Sequence, residues 1–332
     1  MKFEMKSLVI AAALAAAGVA NAAVITTTPG VKVVVTDPGG SGRKAELSLI
    51  SGGGALEFSN GTGVLGGVPT AAVGGLVGAL NVGKVVLTAV DGATVNESIT
   101  KVGRSNQRSS VSIAASVNSL SADDQTGQIL TVGSMGGAQQ DANPIDGVLD
   151  GGRMTVRNLR FDLVNKQVIA DMYGQPNVFD ANNVASLGPE VVKKDVALWN
   201  ITTITGPTAI PPAALLAAGN GDFSKMQSLG YTLLNTAPSP DGGTLYTVGA
   251  SDILGNLKVT TAGFDFFAQS LGLTQGSTGY TTLNGVNGGV DGWGSVKSNI
   301  VFTVREVPEP GTYALMGLGL VGISLVARRR VK

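Results

Sequence analysis

A mainly β fold, a sandwich-like antiparallel β region with a few short helices, is predicted by three features of the chain. The apolar content rests on Val, Ala, Leu and Ile mixed with abundant Thr and Ser, residues that fit pleated, half-buried strands. Gly occurs 48 times in 332 residues, about twice its usual share of ~7%, so turns are frequent. Short apolar or alternating runs recur between clusters of Gly, Asn and Asp, the pattern of strands joined by turns.

The elements follow from these signals in order. Val24 to Thr36, VITTTPGVKVVVT, reads as a first strand or hairpin, and Asp37-Pro38-Gly39-Gly40 supplies a turn. Ala45 to Ile50 and Ala55 to Ser59 read as two short strands around Ser51-Gly52-Gly53-Gly54. Thr70 to Leu80 has the character of a small helix weakened by three glycines. Val85 to Val90 and Ser109 to Val117 return to strand character. Residues 133–152 are Gly-rich and polar, which predicts a long loop or an internal boundary within the body. After it, Met154 and Val156, then Leu159, Phe161 and Leu163, face one way, and Val168, Ala170 and Met172 alternate on the return. This predicts a hairpin turning at Val164-Asn165-Lys166-Gln167, with a bulge near Asn158 where the period slips. Helices are predicted over Pro211 to Ala218, with Pro in the first turn and Gly219 at the end, and over Ala262 to Leu271. Strand-like runs cover Ala197 to Thr205, Gly243 to Val248, Asn256 to Thr261 and Ser298 to Glu306.

Absences narrow the function. The chain contains no Cys and no His, so cysteine nucleophiles, Ser-His-Asp triads, zinc sites of the usual kind and haem held by His or Cys are closed to it. No cofactor is expected. Residues 23–307 carry 17 Lys and Arg against 21 Asp and Glu, a net charge of −4. Without a basic stripe, nucleic-acid binding is not expected.

Both ends carry targeting patterns. Residues 1–22, MKFEMKSLVIAAALAAAGVANA, place Lys2 and Lys6 before an apolar run and close on Ala20-Asn21-Ala22. That is the layout of a secretory signal peptide, with cleavage after Ala22 and Ala23 as the first mature residue. Near the other end, Thr312 to Ala327 is a run of 16 residues without a charge, about 24 Å as a helix. It is short for a bilayer core of ~30 Å. Tyr313 at one interface and Arg328, Arg329 and Arg330 snorkelling at the other let it span as a transmembrane helix, with the Arg cluster on the cytoplasmic side.

Pro308 and Pro310 forbid helix or central strand just before that run, and leave Glu309 in a rigid extended segment. Val307-Pro308-Glu309-Pro310, the apolar run and the Arg cluster together resemble the PEP-CTERM sorting signal of exported Gram-negative bacterial proteins, over the last 26 residues. The resemblance implies recognition of Pro308, Glu309 and Pro310 by an exosortase, removal of the tail, and delivery to the cell surface or extracellular polymer matrix.

Within the body, Asp141, Asn143, Asp146 and Asp150 surround a Gly turn in the manner of a calcium loop, but depart from its spacing by one residue and lack the closing Glu. Asp123, Asp124, Asp162, Asp171 and Asp195 are the carboxylates available for a glycosidase pair, with no spacing that brings two together. Only Trp199 and Trp293 are available as tryptophan platforms for a sugar. The expectation is an exported, exosortase-processed surface or matrix protein contributing to exopolysaccharide or biofilm structure, without catalytic activity. Its expected partners are the secretion machinery, the exosortase, the inner membrane before processing, and exopolysaccharide. The alternative is a secreted carbohydrate-binding or carbohydrate-active protein with calcium as a ligand.

Overall fold

A computed structural model describes residues 23–307 apart from 38, 41, 60–74, 103–104, 241 and 290–291. The signal-peptide residues 1–22 and the tail 308–332 lie outside the described residues. Among the described residues, no helix is long and apolar enough to cross a membrane.

The chain runs β1 (Val24–Thr27), β2 (Lys32–Thr36), β3 (Lys44–Ser59), α1 (Gly75–Val82), β4 (Val86–Val90), β5 (Thr94–Val102), β6 (Ser105–Asp123), β7 (Ile129–Met135) and β8 (Gly137–Ala142). It continues through β9 (Gly152–Asp162), β10 (Gln167–Phe179), β11 (Ala185–Leu187), β12 (Val191–Asn200), β13 (Thr203–Thr205), α2 (Pro212–Gly219) and α3 (Ser224–Ser228). The remaining elements are β14 (Thr232–Pro238), β15 (Thr244–Gly255), β16 (Lys258–Val259), α4 (Thr261–Ser270), α5 (Thr278–Gly288) and β17 (Ser295–Val307). The protein is mainly β, and every pairing between these strands is antiparallel.

Two long strands organise the sheet. The first part of β3 pairs with β2 and with the end of β17, and its last part pairs with β6. β6 in turn serves β5 and β3 along its first part and β1 and β7 along its second. From β7 the ladder continues through β9 and β10 to β12. The sheet thereby doubles back, and side chains of β3, β15 and β17 meet those of β7 and β9 in one core: Leu56, Leu254 and Ile300 lie opposite Val132 and Phe161. Alternation explains the phase of each strand. Val168, Ala170 and Met172 of β10 are buried, as are Val296, Ile300, Phe302 and Val304 of β17.

The hairpin predicted over 154–172 is present as β9 and β10, turning at residues 163–166 with Lys166 at φ 52°. Asn158 has φ 56°, and the β9–β10 register shifts beside it. This bulge moves the buried positions from Met154 and Val156 to Phe161, an odd offset that uninterrupted pleating forbids.

Three expectations are corrected. Residues 133–152 are not a long loop: they contain the end of β7, all of β8 and a short turn, with β8 hydrogen-bonded to both β4 and β9. The Gly-rich composition there serves close packing, since a Cβ on Gly137 would lie 2.0 Å from the Val156 carbonyl oxygen. Ser51 to Gly54 does not separate two strands; β3 is continuous, and the register against β17 jumps from Ile300–Gly54 to Phe302–Leu49, absorbing the extra residues as a bulge. The strand expected over Asn256 to Thr261 shortens to Lys258–Val259, because Thr260 starts a helix. The helix expected from Thr70 is seen over Gly75–Val82, its earlier part lying outside the described residues.

Helix α4 sits close on β9 and β10, which requires glycine beneath it: a Cβ on Gly174 would fall 2.1 Å from the Ser270 hydroxyl oxygen. Its start is fixed by Thr260, whose Oγ1 accepts from the Gly263 N–H and whose hydroxyl donates to the Ala197 carbonyl, tying helix to β12. Thr260→Ala removes both bonds and is expected to destabilise the fold by about 1–2 kcal/mol. Chemical denaturation measures the loss; a change within about 0.3 kcal/mol contradicts this role.

Candidate functional site at the C-terminal strand

β17 is an interior strand, flanked by β15 on one side and β3 on the other, and it keeps its partner to its last residue, where Val307 faces Lys44. Pro308 follows directly in the sequence. Having no N–H, proline cannot donate to a ladder.

Ion pairs bolt this end of the strand to its neighbours. Arg305, 8% exposed, makes a two-pronged contact with Glu46 on β3, Nε to Oε1 at 3.2 Å and Nη2 to Oε2 at 2.9 Å. Lys32 on β2 adds a third arm, 3.3 Å from Glu46 Oε1. Burial acts to raise the Glu46 pKa, but the hydrogen bonds and positive charge of Arg305 and Lys32 outweigh it and hold the carboxyl below its ordinary value. One residue on, Glu306 accepts from Nε and Nη2 of Arg43 at 3.1 and 3.0 Å, and Arg43 also reaches the Leu216 carbonyl of α2. Sequence reading missed this cluster. The one available signal is an Arg-Glu pair inside an apolar strand, and the partner Glu46 is 259 residues from Arg305.

The β15–β17 pair also holds a buried acid. Asp252 faces Ser298 across the ladder, is 7% exposed, and its Oδ1 has no hydrogen-bond partner. Its surroundings include Leu56, Phe161, Leu254 and Ile300, and burial pushes its carboxyl up to about 7. Tyr231 donates to the Ala209 carbonyl at 3.0 Å, and its pKa is raised by burial and then by the charge of Asp252.

The sequence-selected acids do other work. Asp123 accepts from the Thr126 amide, the Thr126 hydroxyl and the Gln125 amide, which hold its pKa low. Asp124 binds the Ala23 N–H, and Asp162 caps the turn at Asn165. Asp171 and Asp195 lie side by side at a bulge of β12 against β10, where the backbone N–H of Asp195 donates to Asp171 Oδ1 at 3.4 Å; Asn158 bonds Asp171 and Arg160 pairs with Asp195. Of the calcium candidates, Asp141 is engaged by Arg153 at 2.6 Å and Gln139 at 2.7 Å, while Asn143, Asp146 and Asp150 are exposed around the turn. Among the described residues, no group of three or more acidic side chains is placed to hold a metal ion. Trp199 and Trp293 are buried in the core and offer no surface platform. Ala23 starts the described chain; Ala20, Ala22, Pro308, Glu309, Pro310 and Arg328 to Arg330 lie outside it.

No curated protein and no solved structure is found to match this chain. The match that does emerge begins on the last two residues of β17: residues 306–330 are a PEP-CTERM protein-sorting motif.

Proposed function

We propose that the chain is exported through the secretory machinery, held at the inner membrane by the apolar run at 312–327, and released by an exosortase acting at Pro308-Glu309-Pro310. The body then enters the cell surface or extracellular matrix and contributes to exopolysaccharide or biofilm structure without catalysis. The observation that carries this reading is the sorting motif set directly on the end of β17. The described ladder runs to Val307, so loss of the tail leaves every described pairing in place. The opposite end supports processing as well. The Ala23 N–H lies 2.9 Å from Asp124 Oδ1, so cleavage after Ala22 exchanges an amide for an ammonium beside a carboxylate, a stronger contact.

The test uses an epitope inserted in the exposed turn at 180–183. In cells with the exosortase, the tagged protein is expected in the envelope or outside the cell, beginning at Ala23 and lacking its tail. Deleting the exosortase, or replacing Pro308 and Pro310 by Ala, is expected to leave the longer species in the membrane fraction. Intact protein found only in the cytoplasm overturns the reading.

A further inference from the structure

The sorting motif and the folded body share two residues. The motif begins at Glu306, whereas β17 runs on to Val307. In the ladder Glu306 faces Ala45 and Val307 faces Lys44 of β3. On its other side β17 loses its neighbour earlier, the last pair with β15 being Val304 with Tyr246. Backbone pairing therefore holds Glu306 and Val307 from one side. Arg43 adds a side-chain hold, its Nε and Nη2 donating to Glu306 Oε1 at 3.1 and 3.0 Å.

One residue earlier the grip is of another kind. Arg305 is buried and clasps Glu46 through two nitrogens, while Arg43 and Glu306 are both partly exposed. An exposed ion pair opens readily, and a buried one does not. The tip of β17 can thus peel from β3 as far as Arg305, a local opening that leaves the core closed. A cleft that reads an extended segment pairs with its backbone and pockets its side chains. Glu306 and Val307 cannot enter such a cleft while they lie on β3 and Arg43 holds the Glu306 carboxylate. We propose that Arg43 gates processing: the enzyme that reads the motif engages Glu306 and Val307 only after the Arg43–Glu306 pair opens and the strand tip peels away. The Arg305–Glu46 pair sets how far the opening runs, so the released body keeps β17 through Arg305. This gate rests on the reading that an exosortase removes the tail.

Purified full-length protein in detergent micelles, mixed with membranes containing the exosortase, gives the rate of tail removal on a gel. Arg43→Ala is expected to be processed about two- to fivefold faster than the parent, the scale on which losing one exposed ion pair raises the open population. Arg160→Ala, which removes the exposed pair with Asp195, is expected to leave the rate unchanged, separating the gate from general loosening. The chain has no Cys, so Lys44→Cys combined with Val307→Cys gives a single disulfide across a facing antiparallel pair. Oxidised, this variant is expected to be cut at least about tenfold more slowly than the same protein reduced, because its strand tip cannot peel. Equal rates for Arg43→Ala and the parent, or for the oxidised and reduced forms, overturn the gate. A glutamate-specific endopeptidase reads the opening without the exosortase, and is expected to cut after Glu306 faster in Arg43→Ala than in the parent; equal cutting overturns the gate as well. Absence of tail removal in the parent overturns the processing reading itself, an outcome distinct from removal at a rate that Arg43 does not affect.

Discussion

Replacing Glu46 by alanine is expected to destabilise the protein by about 3 kcal/mol at neutral pH, read from the midpoint of urea unfolding. The effect comes from what is left behind. Arg305 is 8% exposed and grips Glu46 with two nitrogens, so the variant strips a two-pronged carboxylate contact from a guanidinium in the interior. Breaking a buried pair from one side is far more damaging than losing an exposed one, worth about 0–1 kcal/mol. The pH dependence has a definite sign. The folded state holds the Glu46 carboxyl below its ordinary value of 4.5, so this contribution is complete above that value and is lost as pH falls through the lower folded one. The parent protein should therefore weaken in acid more steeply than Glu46→Ala does. A loss below about 1 kcal/mol, with parallel acid limbs, shows that the pair behaves as an exposed one.

Asp252 works in the opposite direction. Its folded pKa of about 7 lies above the ordinary 3.8, so the folded state binds this proton more tightly than the unfolded chain. Stability from this group is complete below the ordinary value, declines as pH rises toward 7, and stays reduced above it. A carboxyl at about 7 in the folded state against 3.8 unfolded sets a ceiling of about 4 kcal/mol at pH 8. Asp252→Asn, nearly the same shape without the charge, is expected to unfold at a higher temperature than the parent at pH 8, with the advantage shrinking toward pH 4. Thermal melts at pH 4, 6 and 8 measure it. Parallel pH dependence in parent and variant refutes an ionising Asp252 in the core.

The fold was legible where local pattern and burial agree. The 154–172 hairpin, the slip at Asn158 and both Pro- and Thr-initiated helices follow from residues within a few positions of each other. Long strands were underestimated because bulges interrupt their alternation: β6 has shifted registers against both β5 and β7, so no single period runs along it. Helix α5, TGYTTLNGVNG, has poor intrinsic propensity. It is held instead by the Ser277 cap, by burial of Leu283 and Val286, and by Asn287, which bonds both backbone groups of Val259. Asp252 could have been found. Val248, Ala250, Asp252 and Leu254 share one period-two face, and extending the strand beyond Val248 puts the acid in the core. The Arg305–Glu46 and Arg43–Glu306 pairs could not, since each joins segments distant in sequence. The sorting signal was readable in full because its information is linear.

The position of β17 also dictates an order of events during synthesis. It is made after the other described strands, yet it lies between β3 and β15, pairing with residues up to 263 positions earlier in the chain, from Lys44 onward. Until it emerges, β3 and β15 each present an open edge, the kind of surface that recruits other chains. The body therefore cannot close before the ribosome has reached the sorting motif. A nascent chain that stalls or is truncated ahead of Ser295 loses its address and its central strand together, so a chain cut short there is both unsorted and incompletely folded.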